Sequence, residues 1–68
     1  MDDTMMTHYI LGKAVEISER EQITRLHAVE KVDKHYKPET LSDQQEYEWG
    51  HIITGIREFY KNYALWQR

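Results

Sequence analysis

Residues 42–66 read SDQQEYEWGHIITGIREFYKNYALW, and the fold turns on whether this stretch is a single helix. Advancing each residue by about 100° round a helical axis gathers Trp49, Ile52, Ile53, Ile56, Phe59, Tyr60, Tyr63, Ala64 and Trp66 on one arc, with only Gln67 intruding. The opposite arc takes Gly50, His51, Thr54, Arg57, Glu58, Lys61 and Asn62, with Leu65 the one large apolar residue out of place. The same seam reads as a heptad, with Trp49, Ile56 and Tyr63 at one core position and Ile52, Phe59 and Trp66 at the other. Ser42 and Gln45 form a capping box at its start, and Asp43 and Glu46 put negative charge where the helix dipole favours it. The pattern predicts a long helix over 42–66. Each large seam side chain gains about 1.5–3 kcal/mol on burial, so something must cover the seam.

Working back from it, Pro38 disfavours helical geometry at Lys37, which makes 38–41 a linker. Before the linker, Ser18-Glu19-Arg20-Glu21 matches a second capping box and predicts a helix over 19–37, with Ile23, Leu26, Val29, Val32 and Tyr36 as its apolar positions. Arg25 and Asp33 fall inside that apolar arc. Residues 5–17 fit two periods: Met6, Tyr9, Ile10, Ala14 and Ile17 suit a helix, while Tyr9, Leu11, Val15 and Ile17 suit a strand. A short helix is the expectation, because no second strand is evident to pair with. Residues 1–4 are expected to form a loose leader.

The expected fold is therefore one all-α domain over 1–68: an antiparallel helical hairpin with a shorter N-terminal helix, pairing with a second copy into a dimeric helical bundle. Sixty-eight residues lie near the size at which one core is only marginally stabilising, and with no cysteine neither a disulfide nor a thiolate metal site can help. Oligomerisation becomes the leading candidate. The start, Met1-Asp2-Asp3, is acidic where a secretory signal would be basic, and no apolar run approaches a membrane span. The chain reads as soluble and cytoplasmic, with no membrane partner.

Three constellations could carry chemistry. Glu48 and His51 make a Glu-x-x-His pair of the kind used in carboxylate-bridged di-metal bundles, but such a site needs further carboxylates, from Glu16, Glu30 or a symmetry mate. A solvated flank is the plainer reading, and no metal or other cofactor is expected. His27, Lys31 and Lys34, with Lys37 just beyond, make a basic stripe that could meet phosphates. Glu30 lies beside it, it contains no arginine for bidentate contacts, and the net charge is −3, so nucleic acid is possible as a partner but not favoured. The aromatic cluster lies on the seam, away from Arg57 and Lys61, which suits a core or an interface better than base stacking.

No phosphate loop, nucleophile elbow or spaced histidine and acid set is present, so an enzyme is not expected. What remains is a small acidic helical regulator or inhibitor, acting by protein–protein interaction through Trp49, Ile56, Phe59, Tyr60, Tyr63 and Trp66. Those residues would anchor a homodimer or a different protein. The alternatives are a dimeric DNA-binding transcriptional regulator using the basic stripe and, behind it, a dimeric di-metal carboxylate protein. Tyr47 and Leu65 are the apolar residues off the seam that most need explaining.

Overall fold

The computed structural model describes residues 2–66, and side chains as far as Tyr63. Three helices form, and among the described residues there is no strand: α1 spans Asp3–Glu21, α2 Arg25–His35 and α3 Asp43–Trp66. Each has a capping side chain at its start. Asp2 Oδ1 accepts from the Met5 amide at 2.8 Å, and Thr24 Oγ1 accepts from the His27 amide at 3.1 Å. At α3 the reciprocal box forms as its sequence implies: the Gln45 amide donates to Ser42 Oγ at 3.2 Å, and the Ser42 amide donates to Gln45 Oε1 at 2.9 Å.

The N-terminal half of the chain differs from the expectation. Residues 3 and 4 belong to α1, not to a leader, because Asp2 supplies the cap, its side chain accepting from the Met5 amide. Helix α1 then runs through Ser18 to Glu21, so Ser18 does not cap a second helix. The chain turns instead at Gln22, whose φ of 59° and ψ of 44° are left-handed, and the Ser18 carbonyl accepts from the amides of both Gln22 and Ile23. The expected helix over 19–37 is thus divided, its first residues closing α1 and the rest forming α2. With 19 residues in α1 and 11 in α2, the N-terminal helix is the longer of the two, the reverse of the expectation.

Ser18 is the buried polar residue at this joint. Its hydroxyl donates to the Ile23 carbonyl at 2.5 Å and accepts from Arg25 Nη1 at 2.6 Å. Arg25 also pairs with Glu19 at 3.6 Å, so a residue that interrupts the apolar arc of α2 stitches it to α1. Ser18→Ala leaves the Ile23 carbonyl without its hydroxyl donor and the Arg25 guanidinium with Glu19 alone, and is expected to cost about 1–3 kcal/mol. Thermal unfolding should register this as a midpoint lower by roughly 4–8 °C per kcal/mol.

The core takes Met6, Ile10, Ala14 and Ile17 from α1, Ala28, Val29 and Val32 from α2, and Trp49, Ile53 and Ile56 from α3. The spacing is the three-and-four rhythm of one helical face in every case. Trp49 joins all three helices. Its indole N–H donates to Asp33 Oδ1 of α2 at 2.8 Å, and its ring lies 6.2 Å from that of Tyr9 on α1. Tyr9 in turn donates its hydroxyl to the Tyr36 carbonyl at 2.8 Å. Asp33, the second residue that interrupts the α2 arc, is therefore turned inward to satisfy the tryptophan.

Length decides what this core can cover. The 24 residues of α3 reach about 36 Å, and the 11 residues of α2 about 16 Å, less than half as far. The molecule measures 39 × 23 × 17 Å, its long axis close to the length of α3. Among the described residues no helix is long and apolar enough to cross a membrane.

Candidate functional site

The seam of α3 divides after Ile56. Trp49, Ile53 and Ile56 are buried in the chain's own core and are not available to a partner, although Trp49 and Ile56 are among the expected anchors. Beyond them Tyr60 is half-buried, while Phe59 and Tyr63 are 61% and 53% exposed. The side chains of residues 64–66, and so Trp66 and Leu65, lie outside the described residues. The interface candidates thus contract to Phe59, Tyr60 and Tyr63. Phe59 lies at the centre, its ring 5.3 Å from that of Tyr60 in an edge-on arrangement and 6.3 Å from that of Tyr63, nearly parallel to it.

Phe59 and Tyr63 also belong to a longer row. Tyr47, His51, Gly55, Phe59 and Tyr63 follow one another at intervals of four, and all five are exposed, Tyr47 by 66%. Tyr47 and His51 form a second ring pair, edge-on with centroids 4.6 Å apart. Beside that pair lies an open depression of about 470 Å³ lined by Glu46, Tyr47, Gly50, His51 and Thr54. Tyr47 stood out in the sequence as an exposed apolar residue. Each step of four turns about 40° further round α3, so Tyr47 lies on the side of the helix away from the seam while Phe59 and Tyr63 lie on the seam.

The basic stripe is largely occupied by its own chain. Lys31 pairs with Glu21 at 2.5 Å, and this hydrogen bond holds the Glu21 carboxyl below the usual range. Lys37 lies 3.8 Å from Glu46, and Arg57 of α3 lies 2.9 Å from Glu30. The structure keeps His27, Lys31 and Lys34 of the stripe together with Glu30 and adds Asp33, His35 and Arg57, which spacing alone did not place there; the seven line an open depression of about 490 Å³. Its lining mixes cations and carboxylates.

Glu48 and His51 are directed to other neighbours. Glu48 accepts from Gln44 Nε2 at 3.0 Å and shares a hydrogen bond with Asp3 of α1. The Gln44 donor leads in holding Glu48 low, and the proton that Asp3 shares with Glu48 raises the Asp3 carboxyl. His51 sits against Tyr47. The further carboxylates are engaged elsewhere, Glu16 with Lys13 and Arg20, and Glu30 with Arg57. Among the described residues no three His, Cys, Asp or Glu side chains are grouped so as to hold a metal ion.

No known protein family, characterised protein or solved structure matches the chain. Among the described residues the exposed large apolar side chains are Tyr47, Phe59 and Tyr63 of α3 and Met5 of α1, and of these Phe59 and Tyr63 continue the seam that is buried earlier in the helix.

Proposed function

We propose that the chain is a non-enzymatic interaction protein, a small acidic helical regulator or inhibitor that docks the C-terminal half of α3 onto another polypeptide. The supporting observation is the exposure of Phe59 and Tyr63 on the same seam that is buried one and two turns earlier. Rings of this kind supply much of the energy at protein interfaces, because each covers a large area with few rotatable bonds. Phe59, Tyr60 and Tyr63 are the proposed anchors. The test is retention of a binding partner from the source cell by the wild-type chain but not by Phe59→Ser/Tyr63→Ser. Equal retention by both would remove this face from the proposal.

One feature favours a second reading, a dimeric DNA-binding regulator acting through His27, Lys31, Lys34 and Lys37. His27, Lys34, His35 and Arg57 surround one depression. Against it, Lys31 and Lys37 are committed to Glu21 and Glu46, and counterion release requires cations that are free to meet phosphates. This reading expects duplex binding that collapses as salt rises and is lost in Lys34→Glu. Absence of binding at low salt ends it.

A further inference from the structure

The turn between α1 and α2 lacks the residues that usually hold a helix end in place. Only residues 22–24 connect the two helices, and none of them is glycine or proline. Gln22 nonetheless adopts the left-handed conformation there, at a φ of 59°, which costs an ordinary residue far more than it costs glycine. We propose that this turn is a hinge: α1 and α2 straighten into a single helix over 3–35, about 50 Å long, and two copies of the chain exchange α1. In the exchanged dimer each α1 packs on α2 and α3 of the other copy.

Three observations carry it. First, the joint itself gains from straightening. The opening amides of α2 acquire intrahelical carbonyl partners in place of the Thr24 side chain, and Gln22 returns to right-handed geometry. Second, the two halves are in register. Counting about 100° per residue through the joint places Met6, Ile10, Ala14 and Ile17 of α1 and Ala28, Val29 and Val32 of α2 within about 140° of one another. The straight helix therefore presents both buried faces on one side.

Third, the core names the occupant. Helix α1 already packs on both other helices, with Tyr9 lying against the Trp49 ring and bonded to the Tyr36 carbonyl. The α1 of a second copy makes these same contacts, whereas any other polypeptide would have to imitate them. Exchange of an identical element keeps the core and changes only the joint, which makes it a low-cost route to a dimer.

What opposes opening is local. The Ser18 hydroxyl holds Ile23 and Arg25 at the turn, and the half-buried Ile23 falls outside the stripe once the helix is straight. These contacts, with the entropy lost on joining two chains, favour the closed monomer in dilute solution and leave exchange to high concentration. The dimer carries two copies of the far half of α3, although the exchange does not depend on that face being a docking surface.

Two measurements test it on the whole chain. Wild type refolded at millimolar concentration should contain dimer in sedimentation velocity. Gln22→Gly favours the turn and disfavours the straight helix in both chains at once, so its dimerisation constant should fall on the order of 100-fold, while its monomer melts no lower than the wild type. Because the chain has no cysteine, Asp3→Cys/Glu48→Cys places a unique pair on α1 and α3, where the native side chains share a hydrogen bond. A short bis-maleimide linker should join this pair within one chain in the monomer fraction and between chains in the dimer fraction, as read on a denaturing gel. A wild type that stays monomeric after such refolding, a Gln22→Gly dimer as stable as that of the wild type, or linkage confined to single chains in the dimer would each overturn the exchange. The docking face is tested separately, by loss of a partner in Phe59→Ser/Tyr63→Ser, so the two readings fail independently.

Discussion

Replacing Trp49 by alanine is expected to abolish cooperative folding. Truncating a large buried aromatic costs about 3–5 kcal/mol through lost burial and the cavity left behind. Trp49 is almost wholly buried and contacts elements of both other helices, so no single side chain can collapse into its place. The change also strips Asp33 of its indole donor, removing a side-chain link between α2 and α3. A core of this size supplies a net stability of only about 3–5 kcal/mol, so the loss is comparable to the whole. Far-UV circular dichroism should show a broad, shallow melt in place of a sigmoid. Trp49→Phe separates the two contributions: it keeps most of the packing, loses the hydrogen bond, and should melt cooperatively at a lower temperature. A sharp transition for Trp49→Ala within a few degrees of wild type would mean that the helices are not held together at this residue.

The second large effect lies at the other end of the same helix and has the opposite character. Phe59→Ser/Tyr63→Ser removes two exposed rings that bury little against their own chain. Exposed substitutions of this kind usually shift stability by no more than about 0.5 kcal/mol each. In a complex the same rings would be hot-spot anchors, each contributing about 2 kcal/mol or more, so binding should weaken by at least about 100-fold. Titration calorimetry or sedimentation against whichever partner the wild type retains would read this directly. A loss below about threefold would place the binding energy elsewhere.

The C-terminal helix was legible because independent signals agreed. Ser42 and Gln45 supplied both halves of a capping box, and the seam from Trp49 onward allowed only a helical period. The joint between α1 and α2 was misread for local reasons. Ser18 through Glu21 imitate a capping box, and the residue that adopts the left-handed turn is Gln22, where glycine or asparagine is the usual marker. The true cap, Thr24, lies inside the longer apolar pattern, where nothing in that pattern marks a break. Arg25 and Asp33 looked like flaws in an apolar arc because their partners, Ser18 and Trp49, are distant in sequence.

That same joint shaped the candidate site. A helix over 19–37 would have flanked much more of α3 than the 11 residues of α2 do, and how far α2 reaches bears on which seam residues stay open. The sequence could therefore say that the seam exceeded its cover, but not where the cover stopped. The boundary after Ile56 removes Trp49 and Ile56 from the interface candidates and leaves Phe59 and Tyr63 exposed.

The central claim is that one helix serves two purposes, its first half holding the chain's own core and its far half reserved for another polypeptide. The most direct test is the thermal midpoint of dilute Phe59→Ser/Tyr63→Ser, set beside those of wild type and Trp49→Ala. The expected result is a cooperative melt no more than about 4–8 °C from wild type, with Trp49→Ala showing none. If the double variant instead loses cooperative melting as Trp49→Ala does, the two rings belong to the core and the far half of α3 is not a spare surface.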